Sequence, residues 1–156
     1  MVDTKELIND LSKKYGNERK SLLPILQGIV EKENYLSKES MLEVAKVLDI
    51  SAAEVFGTAS FFSFLDTQER GKYVIRVCKS ITCDMKGKDQ VISTIENVLK
   101  IKVGETSPDK KFSFLETNCL GLCDEGPAIL INDDYFVKMT PVKIRELLLK
   151  YIRNEV

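Results

Sequence analysis

Four cysteines and no histidine constrain this chain more than any other feature of its 156 residues. The cysteines are Cys78, Cys83, Cys119 and Cys123, spaced C-x4-C, then 35 intervening residues, then C-x3-C. With no imidazole, a histidine general base, a His-ligated zinc and a Ser-His-Asp triad are all excluded. Tyr73-Val-Ile-Arg-Val77 reads as a β-branched strand ending at Cys78, and Phe112 to Glu116 as a second strand ending just before Cys119. If those strands are parallel neighbours, both cysteine loops leave the sheet at one edge and the four thiols converge.

Four thiolates at one point repel one another unless a cation neutralises them, so a metal centre is their natural occupant. Zinc accepts a tetrahedron of four cysteines, and C-x4-C lies within its usual range. A [2Fe–2S] cluster also takes four thiolates, two per iron. Two disulfides would need an oxidising compartment, and free cysteine also serves as a small core residue. Thiol exchange of the C-x-x-C type has no motif to support it. The loop Cys119-Leu-Gly-Leu-Cys-Asp-Glu-Gly-Pro127 favours the cluster over a compact zinc knuckle. Its Gly121 and Gly126 allow backbone N–H groups close to sulfur. Lys79, Lys86 and Lys88 flank the first loop as surface lysines that would ease an anionic centre. Asp124-Glu125 and Asp133-Asp134 read as solvated loop charge.

Around the cysteines the chain has two textures. Asp3 with Glu6 resembles a capping pair, followed by Leu7, Ile8, Leu11 and Tyr15 at helical spacing. Leu22, Leu23, Leu26, Ile29 and Val30 form a second stripe, with Pro24 confined to its opening turn. Ser37 caps a third helix facing inward through Met41, Leu42, Ala45 and Leu48, and Ser51-Ala-Ala-Glu54 boxes a fourth carrying Val55 and Phe56. The run Ala59-Ser-Phe-Phe-Ser-Phe-Leu65 reads either as core between subdomains or as a partner-facing patch. After Gly71 come the strand at 73–77, a helix over Lys88–Leu99, the strand at 112–116 and a hairpin of 128–131 with 135–138. A helix opened by Thr140-Pro141 closes the chain. This is an α/β order: an N-terminal helical bundle over residues 1–70, then a thioredoxin-like domain with a small mixed sheet over residues 71–156.

Composition removes several functional classes. Lys plus Arg number 23 against 24 Asp plus Glu, for a net charge of −1, so the positive field that nucleic acid demands is missing. No G-x-G pair occurs among the eight glycines, so neither a dinucleotide fingerprint nor a phosphate-cradling loop is expected. No secretory signal opens the sequence and no apolar run approaches membrane-spanning length, so direct membrane insertion is not expected and the chain reads as cytoplasmic.

Four segments in order carry a family resemblance over about residues 20–152: Leu22-Leu-Pro-Ile-Leu-Gln27, Val55-Phe-Gly-Thr-Ala-Ser-Phe-Phe62, Cys78-x4-Cys83, and Cys119-Leu-Gly-Leu-Cys123 followed by Gly126-Pro127. The chain resembles the thioredoxin-like [2Fe–2S] subunit of NADH dehydrogenases, the 24-kilodalton subunit of respiratory complex I. The same family supplies subunits to NAD(P)-linked hydrogenases, formate dehydrogenases and electron-bifurcating complexes. The resemblance implies that Cys78, Cys83, Cys119 and Cys123 ligate one [2Fe–2S] cluster. It also implies a one-electron carrier within a multi-subunit NAD(P)H-linked oxidoreductase complex, with no complete catalytic site in this chain alone. The N-terminal helices are then expected to dock on a larger iron–sulfur subunit carrying FMN and the NAD(P)H site, beside further redox subunits. Phe62 stands where tyrosine is common, Asp109-Lys110 replaces a frequent Asp-Gly turn, and Ser80 occupies a position that is often glycine. None of these removes a ligand. The reading from another class is a structural four-cysteine zinc module that scaffolds an assembly.

Overall fold

The computed structural model describes residues 4–154, so the expected role of Asp3 in capping lies outside the described residues. The chain divides into two compact units, Met1–Arg70 and Gly71–Val156.

The first unit is helical: α1 (Thr4–Tyr15), α2 (Leu22–Glu33), α3 (Lys38–Val47) and α4 (Ala52–Phe61). Ser37 Oγ accepts the Ser40 N–H at 3.0 Å and Ser51 Oγ accepts the Glu54 N–H at 3.2 Å. Each satisfies one of the donors that a helix start leaves unpaired. The Glu54 carboxylate pairs with the Arg19 guanidinium. Ile25, Leu26 and Ile29 of α2 are wholly buried against Ile8, Val44 and Val55. Three expected inward residues face out: Tyr15, Leu42 and Phe56 are exposed. In α3 the buried arc is Met41, Val44, Ala45 and Leu48, which places Leu42 about 100° off its centreline. In α4 burial goes to Val55 and Ala59, one turn apart, which turns Phe56 outward. The aromatic run that ends α4 and continues past it is exposed rather than packed as core. Phe61 is 80% exposed, Phe62 and Phe64 are also exposed, and only Leu65 is buried.

The second unit is a four-stranded mixed sheet with helices: β1 (Tyr73–Cys78), α5 (Ile81–Met85), α6 (Lys88–Leu99), β2 (Phe112–Thr117), β3 (Ile129–Ile131), β4 (Asp134–Phe136) and α7 (Pro141–Arg153). The strand order is β2-β1-β3-β4. β1 runs parallel to β2, with Cys78 opposite Thr117, and antiparallel to β3. All six residues of β1 are buried, as a central strand requires. Val91 and Ile95 of α6 and Ile144 and Leu148 of α7 join Ile75, Phe114, Ile129 and Ile131 in one core. Full burial of a side chain such as Phe114 contributes about 1.5–3 kcal/mol. Thr140 Oγ1 accepts the Lys143 N–H at 3.3 Å, with Pro141 at the first helical position. The hairpin closes earlier than expected, because Asn132 takes φ 53° and its Oδ1 accepts the Val74 N–H at 2.8 Å. β4 therefore starts at Asp134 and ends at Phe136, and Lys138 at φ 51° is outside it. The short α5 inside the first cysteine loop was not expected. It starts after an extended Ser80, whose carbonyl accepts the Asp84 N–H at 3.1 Å.

Candidate metal centre

Parallel pairing of β1 with β2 decides where the cysteines stand. Both strands end at the same side of the sheet, Cys78 as the last residue of β1 and Cys119 two residues beyond β2. Cys83 lies in α5, and Cys123 begins a 3₁₀ turn over Cys123–Glu125. All four thiols are free.

The sulfurs stand in two pairs. Cys119 Sγ and Cys123 Sγ are 3.1 Å apart, well beyond a disulfide bond. Cys78 and Cys83 form the buried pair, and Cys83 is among the groups that lower the Cys78 pKa. Cys123 also feels Cys78 and Cys83: its thiol pKa is pushed up first by the hydrogen bond with Cys119, then by burial and by repulsion from the other three cysteines. That mutual repulsion is what a bound cation would relieve. Among the described residues, no three cysteine or carboxylate side chains close on one point tightly enough to cage a single ion.

Burial separates the pairs. Cys78 and Cys83 are buried, Cys119 is exposed and Cys123 is half-buried. Burial opposes ionisation of Cys78, but donors outweigh it and its pKa falls. The Ser80 hydroxyl stands 3.2 Å from Cys78 Sγ, and the Ser80 and Leu120 N–H groups and Cys83 add to the effect. In the second loop the Gly121 N–H donates to Cys119 Sγ at 3.4 Å. Gly121 adopts φ 81°, a backbone state that glycine reaches without the cost a side chain imposes. Donors aimed at sulfur are the local device by which a protein stabilises thiolates and tunes a cluster bound to them. Four free thiols, split two and two and supplied with such donors, fit a [2Fe–2S] cluster.

The flanking lysines differ from one another. Lys79 is exposed, as expected of a surface lysine. Lys88 is not one: it is buried, with Nζ 3.3 Å from Asp84 and 3.6 Å from Glu116. Burial works against its charge, but the hydrogen bond and field of Asp84, with Glu116 and Asp89, raise its pKa overall. Lys86 donates to two backbone carbonyls of the second cysteine loop. Of the acidic pairs, Glu125 bonds Lys138 at 2.9 Å while Asp124, Asp133 and Asp134 are exposed loop or hairpin charges. The contact of Ser80 with sulfur and the reach of Lys86 escaped the sequence reading. A serine two residues after a cysteine was the only available hint of the first.

The model of the thioredoxin-like [2Fe–2S] ferredoxin family matches residues 8–152. Among curated relatives, an NADH-quinone oxidoreductase subunit of Aquifex aeolicus is 35% identical over 137 residues, covering 88% of this chain and 86% of that protein. The like-named subunit from Buchnera aphidicola (Acyrthosiphon pisum) is 36% identical over 151 residues, covering 95% and 93%. An NAD⁺-reducing [NiFe]-hydrogenase structure shares the fold, with a TM-score of 0.77 at 23% identity over 85% of this chain. This chain spans only 23% of the length of that hydrogenase chain. Among the described residues no helix is long and apolar enough to cross a membrane. With the family match running nearly end to end and taking in all four cysteines, the chain belongs to the thioredoxin-like [2Fe–2S] ferredoxins.

Proposed function

We propose that this chain is the electron-transfer subunit of a multi-subunit NAD(P)H-linked oxidoreductase complex, holding one [2Fe–2S] cluster through Cys78, Cys83, Cys119 and Cys123. The observation that carries the reading is four free thiols at and beyond the ends of two parallel neighbouring strands, two of them buried and two at the surface with their sulfurs 3.1 Å apart. It suits one pair of thiolates per iron. When bound, the cluster supplies one-electron redox chemistry. The chain's own residues hold it: Cys78 and Cys83 from the buried side, Cys119 and Cys123 from the exposed side. The Gly121 N–H donates to Cys119, and the Ser80 hydroxyl, which accepts from the Cys78 thiol at 3.2 Å, turns to donate once that thiol is ionised, which offsets the negative charge of the thiolates.

The relatives named as subunits of NADH-quinone oxidoreductase support the type of complex. The partner is a larger iron–sulfur subunit bearing flavin and the NAD(P)H site, accompanied by further redox subunits on the cytoplasmic side. Residues 1–70 dock there, and the exposed Phe61, Phe62 and Phe64 support that role, since grouped exposed aromatics favour interfaces. The test is anaerobic purification followed by iron, sulfide and zinc analysis, with electron paramagnetic resonance after dithionite. About two irons and two sulfides per chain, with a reducible signal, are expected. One zinc in a colourless protein would replace this reading with the structural zinc module.

A further inference from the structure

Lys86 closes α5 three residues after Cys83, and its side chain reaches across to the other cysteine loop. Its Nζ donates to the Cys123 carbonyl at 3.0 Å and to the Asp124 carbonyl at 2.6 Å. These partners lie 37 and 38 residues away in sequence. Both oxygens belong to the turn that carries the fourth thiol. Gly126 makes the approach possible: a Cβ there would stand 3.1 Å from Cys83 Sγ and 3.4 Å from Lys86 Cδ. The first distance is tighter than a side-chain carbon normally accepts, and the second is close van der Waals contact. The backbone of the second loop therefore lies flush against Cys83 and the Lys86 stem. Behind this contact the second loop is tied from its far side, by the Lys138 N–H to the Glu125 carbonyl at 2.7 Å and the Met139 N–H to the Pro127 carbonyl at 3.2 Å. From the first-loop side, the ammonium of Lys86 grips the backbone of a thiol-bearing residue directly.

We propose that Lys86 is a positioning residue, a staple that holds the Cys119–Cys123 pair against the Cys78–Cys83 pair, with Gly126 as the space through which it works. The proposal deepens the [2Fe–2S] reading and rests on it. The second loop needs such a tie because Cys119 is exposed and its turn contains only a short 3₁₀ segment, so burial alone restrains it weakly. A charged donor serving two carbonyls is stronger than a neutral one, although its exposure keeps the effect modest.

The full chain would be compared as wild type, Lys86→Met, Lys86→Arg and Gly126→Ala. Hydrogen exchange is read over residues 119–126 in cluster-free protein, iron release to a chelator in loaded protein, and reduction potential in the same samples. Lys86→Met is expected to speed exchange in residues 119–126 and release iron about fivefold faster. It is also expected to move the potential negative, since a nearby positive charge is gone, while β1 and β2 keep their protection. Lys86→Arg restores all three readouts, and Gly126→Ala reproduces the faster exchange and iron loss. Unchanged exchange and iron release in Lys86→Met would overturn the proposal, as would loss of protection throughout the sheet. Wild-type protein without iron would overturn the cluster reading instead, and the cluster-free exchange comparison would still decide the part played by Lys86.

Discussion

The two cysteine loops present the same number of thiols from opposite kinds of structure. The first is built on regular elements: Cys78 ends the central strand, Cys83 sits in α5, and both are buried. The second is irregular, turning through Gly121 at φ 81° and a 3₁₀ segment, with Cys119 exposed and Cys123 half-buried. One pair belongs to the hydrophobic framework and the other is held by a few directed bonds. The first pair should therefore matter to folding as well as to the metal, and the second chiefly to the metal.

Cysteine replacement tests that contrast with the largest expected effect. Cys83→Ala and Cys119→Ala should each abolish stoichiometric iron binding, because either leaves three thiolates for a four-thiolate centre. The cluster-free proteins should then part company. Cys83→Ala removes a fully buried sulfur and should cost about 1 kcal/mol, whereas Cys119→Ala should stay within about 0.5 kcal/mol of wild type. Thermal or urea unfolding of the two apo variants checks this. Equal losses would mean that the exposed loop is as much a part of the framework as the buried one.

A smaller effect should follow from Ser80→Ala. The Ser80 hydroxyl is 3.2 Å from Cys78 Sγ, and its removal takes a donor from a buried thiolate. The reduction potential should fall by roughly 20–60 mV, the one-electron equivalent of a typical net hydrogen bond. Potentiometric titration measures it. An unchanged potential would show that the first loop, too, relies on burial and backbone donors alone.

The smallest effect lies at the opposite end of β1, away from both loops. Tyr151 of α7 packs edge-on against Tyr73 with ring centroids 4.9 Å apart. Burial, then the charges of Asp134 and Tyr73, raise its pKa above the ordinary value near 10. A raised value means that stability is fully present below pH of about 10 and is lost as pH climbs through the folded-state value. Alkaline unfolding of cluster-free protein should show that decline, and Tyr151→Phe should flatten it. A decline that persists in Tyr151→Phe would assign it to other groups, the cysteines included.

Much of the fold is legible in the residues alone, for reasons that particular positions make plain. β1, α6, β2 and α7 announce themselves through unbroken apolar periods, and Thr140-Pro141 marks its helix start unambiguously. The cysteine pairs are readable because strand ends and spacing are local properties. Leu42 and Phe56 were misplaced because each sits one residue from a buried neighbour, and sequence does not say which side of a helix wins the core. α5 has five residues, too few to display a period. Asp84 and Lys88 are only four residues apart, but the pairing of Lys88 with Glu116, and the grip of Lys86 on Cys123 and Asp124, join segments far apart in sequence, so only the fold brings them together.

Iron-edge X-ray absorption on the intact chain, purified without oxygen, tests most directly whether the two loops serve one centre. The account predicts iron in an all-sulfur first shell with a second iron as near neighbour, lost together when either Cys83 or Cys119 is replaced. A single metal ion without a metal neighbour, or iron that survives one of those replacements unchanged, would contradict it.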